Sequence, residues 1–214
     1  MSRWMRKRGI VAGTNPKSPA AETYRRLRTS IEMAGRDGGA KTIAIASAEP
    51  GEGKSTASAN LAIAYAQANR NVLLLDSDLR SPVLHRIFEL ENDRGLSTAL
   101  AGRCGFGEVV RASEFDGLEV ICSGPTPANP TELLDSAAME ELLEEAKRRY
   151  DIIILDTPSM AAGADALIVA DKCDGAVLVI RRGKTKFDAA AKAKETLESG
   201  RVKVIGAVFN QTSR

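Results

Sequence analysis

Thr42-Ile43-Ala44-Ile45-Ala46-Ser47 runs into Ala48-Glu49-Pro50-Gly51-Glu52-Gly53-Lys54-Ser55-Thr56, and an alanine-rich stretch follows from Lys54 through Leu61, Ile63 and Tyr65 to Asn69. An apolar run, a glycine-rich turn closing on Gly-Lys-Ser and a helical stretch form the strand, loop and helix of a phosphate-binding P-loop. Gly51 and Gly53 lack a Cβ, so the loop can curl until several N–H groups point inward, and the following helix adds the positive end of its dipole. In such a cradle Gly51, Glu52 and Gly53 line the phosphates, Lys54 reaches the β- and γ-phosphates, Ser55 offers its hydroxyl to Mg2+ and Thr56 bonds the α-phosphate. The general pattern opens on glycine, where Ala48 stands here. A plain helix-capping turn is the alternative, and the flanking strand and helix favour the phosphate loop.

Two apolar runs end in acids. Val72-Leu73-Leu74-Leu75 leads to Asp76-Ser77-Asp78-Leu79-Arg80, and Ile152-Ile153-Ile154-Leu155 leads to Asp156-Thr157-Pro158. Alone, either run reads as a strand closed by a solvated aspartate. After a P-loop, four apolar residues and Asp form the Walker B arrangement, whose carboxylate lies near the phosphates and their cation. Mg2+ keeps several waters and takes only one or two carboxylates, so Asp76 and Asp156 are expected beside it and Asp78 nearby. Asp76 is also the candidate to accept a proton from an attacking hydroxyl.

Further short apolar runs at Leu118 to Cys122, Ala176 to Ile180 and Val204 to Phe209 alternate with helical patterns at Ser18 to about Ala34, about Pro130 to Tyr150 and Phe187 to about Ser199. That alternation predicts an α/β fold with a doubly wound, mainly parallel sheet and ligands at the carboxyl ends of its strands. With 214 residues, 43% of them hydrophobic, the chain suits one core, expected over 18–214 behind a basic, flexible segment 1–17. Net charge of +2 speaks against nucleic acid as a partner. Arg3, Arg6, Lys7 and Arg8 surround Trp4 and Met5, which reads as a solvated end rather than a membrane anchor. No run approaches the roughly 20 apolar residues of a spanning helix and no signal-peptide pattern opens the chain, so a cytoplasmic location is expected. Cys104, Cys122 and Cys173 are read as reduced thiols, and a single histidine, His85, excludes a histidine-rich metal centre.

The AEPGEGKST loop, the hydrophobic run with Asp-Ser-Asp-Leu-Arg and IIILDTP closely resemble the Walker A, A′ and B motifs of bacterial tyrosine kinases, the cytoplasmic kinases of capsular and exopolysaccharide synthesis. Leu84-His85, Phe88, Asn92, Gly95-Leu96-Ser97, Gly124, Pro127, Asn129-Pro130, Glu132-Leu133-Leu134 and Ser136 extend the resemblance, and that family's loop accepts alanine at its first position. The resemblance implies the P-loop NTPase fold of the MinD/ParA-like branch, with ATP and Mg2+ as cofactors and transfer of the γ-phosphoryl group to tyrosine. It implies ring assembly through Glu22, Arg25 and Arg28, which match the family's Glu-x-x-Arg-x-x-Arg element on a helix whose Tyr24, Leu27 and Ile31 face the core. An intrahelical pairing of Glu22 with Arg26 is the plainer reading of the charges. It further implies a membrane adaptor whose cytoplasmic tail activates the kinase and brings it to the inner face of the cell membrane, so that membrane contact is indirect. More loosely, Asn210 matches a position from which related ATPases present an amide to adenine, and Arg181 is a candidate to approach the nucleotide; a turn role and a surface role are their alternatives.

Family members phosphorylate tyrosines clustered in a C-terminal tail. This sequence closes Phe209-Asn210-Gln211-Thr212-Ser213-Arg214, and its tyrosines, Tyr24, Tyr65 and Tyr150, all read as helix packing. A tail outside this chain, acceptors on another protein and an ATPase without tyrosine transfer all stay open. A nucleotide-switched scaffold of the ParA/MinD type is the alternative function, but the lysine that marks that class early in the P-loop is replaced by Glu49-Pro50. An ATP-binding regulatory subunit is the third reading.

Overall fold

Apolar runs without alternation become strands buried on both faces. A computed structural model of the chain describes residues 9–34 and 40–210; the basic cluster Arg3 to Arg8 and the residues after Asn210 lie outside them. The strands are β1 (Thr42–Ser47), β2 (Val72–Asp76), β3 (Val110–Ala112), β4 (Leu118–Ile121), β5 (Ile152–Asp156), β6 (Gly175–Arg181) and β7 (Val204–Asn210). They form one sheet in the order β3-β4-β2-β5-β1-β6-β7. All neighbours are parallel except β3, which runs antiparallel to β4. The sequence reading omits β3, because three half-exposed residues at an edge give neither a long apolar run nor an alternation.

The helices are α1 (Val11–Thr14), α2 (Pro19–Ala34), α3 (Lys54–Ala66), α4 (Leu84–Phe88), α5 (Leu96–Leu100), α6 (Phe106–Val109), α7 (Pro130–Leu134), α8 (Ala137–Arg149), α9 (Asp165–Asp171) and α10 (Phe187–Ser199). Successive strand residues serve opposite faces: Val72, Leu74 and Ile154 pack with α3, whereas Leu73, Leu75, Ile153 and Leu155 pack with α8. Ala44, Ala46, Ala176 and Leu178 meet α9 and α10. The helix expected over 130 to 150 is two, since Ser136 adopts an extended conformation before Ala137.

The amino-terminal boundary differs from the expected one. Ile10 and Ala12 are buried, the Ala12 N–H donates to Asn60 Oδ1 at 2.8 Å, Asn60 Nδ2 donates to the Gly9 carbonyl at 2.6 Å and Gln67 Nε2 donates to the Ala12 carbonyl at 2.8 Å. The folded unit thus reaches back to Gly9, because two apolar side chains and three hydrogen bonds hold this strap on α3, and the boundary at residue 18 is too late. At the far end of the sheet, Asp174 Oδ2 accepts the Lys41 and Thr42 N–H groups at 2.8 Å each, joining the starts of β1 and β6. Among the described residues no helix is long and apolar enough to cross a membrane, and the three cysteines are free thiols.

Candidate active site

The turn between β1 and α3 has the backbone that its glycines allow: φ is +75° at Gly51 and +91° at Gly53, values that residues with a Cβ rarely take. Lys54 opens α3 and is buried. Ser55 and Thr56 follow it half-buried in the first helical turn. Glu52, expected only to lend its backbone, turns its carboxylate back onto the loop. It is 3% exposed, accepts the Glu49 N–H at 3.0 Å and accepts the Thr185 hydroxyl.

Arg181 and Asn210, at the ends of β6 and β7, also meet the loop. Arg181 Nη1 donates to the Gly51 carbonyl at 3.3 Å, and Asn210 Nδ2 donates to the Glu52 carbonyl at 2.9 Å. A Cβ added at Gly53 would lie 1.8 Å from Asn210 Nδ2, so the loop and the end of β7 are fitted to each other. Here both side chains brace the phosphate loop through its carbonyls.

Asp76 and Asp156 face each other in register on the neighbouring parallel strands β2 and β5, and both are fully buried. Asp76 Oδ2 accepts the N–H groups of Val83 and Leu84 at 3.2 and 3.0 Å, and Oδ1 accepts that of Asp78 at 3.3 Å. Burial, followed by the nearby Asp156, nonetheless pushes the Asp76 carboxyl well above the usual range. The Ser58 hydroxyl lies 3.0 Å from Asp156 Oδ1. Burial pushes Asp156 up to about 6, against the pull of Ser55, Lys54 and Ser58. Hydroxyls align the strand ends: Ser77 donates its side-chain O–H and its N–H to the Asp156 carbonyl at 2.7 and 2.9 Å, and Thr157 donates to the Ile45 carbonyl at 2.9 Å.

Asp156 Oδ2 is buried and has no hydrogen-bond partner. A bare carboxylate oxygen at the foot of a P-loop, a second acid at the same level of the sheet and the hydroxyl of Ser55 make a donor set of hard oxygens that fits Mg2+. Asp78 is half-buried, its Oδ1 accepts the Ser81 N–H at 2.9 Å, and its charge adds to the upward push on both Asp76 and Asp156.

Arg80, quoted in the sequence only as part of the motif, is paired. Its Nε donates to Asp165 Oδ2 at 2.7 Å, and Thr131 donates to Asp165 Oδ1 at 2.6 Å. Asp165, Thr185, Ser58, Ser77 and Thr157 are contributors that the sequence reading did not assign. Ser77 and Thr157 stand inside the quoted motifs, directly after the acids; Asp165 and Thr185 carry no spacing signal.

On α2, Ile31 is buried and Tyr24 and Leu27 pack partly buried against the core. The Glu22, Arg25 and Arg28 stripe is less open than expected. Arg28 keeps only 20% of its side chain exposed and donates to the Ala64 carbonyl at 2.9 Å, because the helix lies down on α3. Arg25 binds Glu22 at 2.8 Å and the Pro16 carbonyl at 2.9 Å, while Arg26 stands 3.6 Å from Glu22.

A P-loop on a parallel sheet with two acids at neighbouring strand ends defines a nucleotide-binding P-loop NTPase, and a family model described as an AAA domain matches residues 40–180. The fold is shared with MinD from Pyrococcus horikoshii, at 23% identity and a TM-score of 0.71 over 81% of this chain and 71% of that one. Much nearer is the tyrosine-protein kinase YwqD of Bacillus subtilis strain 168, 48% identical over 95% of this chain and 86% of that protein. The solved kinase domain of the Escherichia coli tyrosine kinase ETK is 34% identical with a TM-score of 0.91, covering 100% of this chain and 90% of that one. The chain belongs to the bacterial tyrosine-protein kinases.

Proposed function

We propose that this chain is a Mg-ATP-dependent protein-tyrosine kinase of bacterial capsular and exopolysaccharide synthesis. The observation that carries the reading is the register of Asp76 against Asp156, two buried acids at one level beside a P-loop, with one carboxylate oxygen left bare. Lys54 and the N–H groups of residues 51–56 hold and orient the β- and γ-phosphates. Ser55, Asp156 and Asp76 are the residues that would hold Mg2+, which when bound neutralises charge on those phosphates. Asp76 takes the proton of the incoming tyrosine hydroxyl, a role that suits a carboxylate held by three backbone amides and raised above its usual range by burial. Arg181 and Asn210 brace the loop through its carbonyls, and both are candidates to approach the nucleotide.

Around this centre, Glu22 and Arg25, with Arg28 behind them, form an assembly face for further copies of the chain. The tail of a membrane adaptor activates the kinase and recruits it to the inner face of the membrane. The acceptors are tyrosines other than these three, since Tyr24 packs against the core, Tyr65 is fully buried and the Tyr150 hydroxyl is engaged with Glu119 at 2.6 Å.

Phosphotyrosine mass spectrometry after incubation with Mg-ATP and a tyrosine-bearing peptide tests this reading, with Lys54→Met as the control. Transfer that falls at least about a hundredfold in the variant supports it. Release of phosphate without phosphotyrosine overturns it and favours a nucleotide-switched scaffold.

A further inference from the structure

Two loops follow the acids of the site, residues 77–83 after β2 and 157–164 after β5, and an ion pair joins the first loop to the helix that closes the second. Asp165, first residue of α9, has a side chain 3% exposed and holds the guanidinium of Arg80, itself 44% exposed. The contact is a fork: Arg80 Nε at 2.7 Å from Oδ2 and Nη2 at 3.4 Å from Oδ1. Thr131, at the start of α7, donates to Oδ1 at 2.6 Å and lies 3.0 Å from Arg80 Nη2, closing the triangle. Burial alone would push the Asp165 carboxyl up, but Arg80 and Thr131 outweigh it and hold it below the usual carboxylate range.

Arg80 stands midway between the two places where its loop grips Asp76, namely the Asp78 N–H on one side and the Val83 and Leu84 N–H groups on the other. We infer that Asp165 is a positioning residue for phosphoryl transfer: through Arg80 it fixes the 78–84 loop, and so the direction in which the Asp76 carboxylate points. This rests on the kinase reading above. Asp165 touches neither phosphate loop nor acids, so its removal is expected to leave nucleotide binding intact and to slow the chemical step. An exposed salt bridge would contribute little, but this one has a buried partner, a fork and a third member, and it constrains a loop whose amides are part of the site.

The test compares the full chain with Asp165→Asn, Arg80→Ala, Asp165→Ala and the double variant Arg80→Ala/Asp165→Ala. The expected result for Asp165→Asn is a kcat for tyrosine transfer lowered about 10- to 100-fold with KM for ATP within about twofold. The double variant should be no slower than Arg80→Ala alone, since both changes break one tether. Hydrogen exchange, read without any turnover, should quicken in peptides covering 78–84 and stay unchanged in those covering the P-loop. A merely stabilising role in the first turn of α9 would lower the melting temperature, leave kcat of the folded fraction within about twofold and leave exchange in 78–84 unchanged, and that outcome overturns the inference. If wild-type protein transfers no phosphate to tyrosine, the kinase reading fails, while the exchange arm still decides whether Asp165 holds the loop.

Discussion

Asp156 concentrates the electrostatics of the site in one side chain. Its buried carboxyl titrates at about 6, above the roughly 3.9 of an exposed aspartate. Between about pH 4 and 6 the folded protein therefore keeps a proton that the unfolded chain has lost. Stability from this group falls as pH rises through that window and is level above it. A cation on Asp156 must displace that proton, and the carboxyl of Asp76 beside it is raised as well, so the Mg2+ concentration for half-maximal activity should rise severalfold on going from about pH 7.5 to 5.5. Magnesium titrations at the two pH values measure it, and an unchanged requirement would mean that Asp156 stays ionised throughout. The acids, Lys54 and the loop glycines were legible because each ends or follows an apolar run within a few residues. Asp165 lies 85 residues from Arg80 and Thr185 lies 133 from Glu52; no local period connects such pairs, and only the folded sheet brings them together.

Single elements depend on single anchors. Asp174 gathers the backbone of Lys41 and Thr42, and although burial works the other way, those bonds hold its carboxyl below the usual range. A depressed folded value means a contribution fully present above about pH 4 and lost as the pH falls through the folded value. Asp174→Asn should lower unfolding free energy by about 1 kcal/mol at pH 7, a modest figure because solvent reaches the carboxylate. Urea titrations should show that gap closing at pH 3.5; a gap that persists would assign the loss to shape rather than charge. Elements also differ in how plainly the sequence announces them. β2 and β5 are unbroken apolar runs, whereas β3 is an antiparallel edge of three residues, and the break between α7 and α8 at Ser136 interrupts the backbone but not the apolar pattern around it.

Across the whole molecule, α3 is the organising member, opened by Lys54 at one end and holding the amino-terminal strap through Asn60 and Gln67 further along. Asn60 is fully buried, and its removal strands the buried Ala12 N–H, so Asn60→Ala should cost about 2 kcal/mol. It should also speed proteolytic cleavage within residues 9–18, a loss that urea unfolding and limited proteolysis measure together; equal cleavage rates would mean that packing of Ile10 alone secures the strap. The strap was not legible in the sequence, where Ile10 and Ala12 sit between basic residues and a Pro-containing break and show no period. The register of β2 against β5 carries one more consequence, for heredity. Each of these strands is five residues long, and inserting or deleting one residue would send its terminal acid to the opposite face of the sheet. Drift can therefore lengthen or trim the three-residue edge strand β3 across generations, while the lengths of two interior strands stay under far stricter selection.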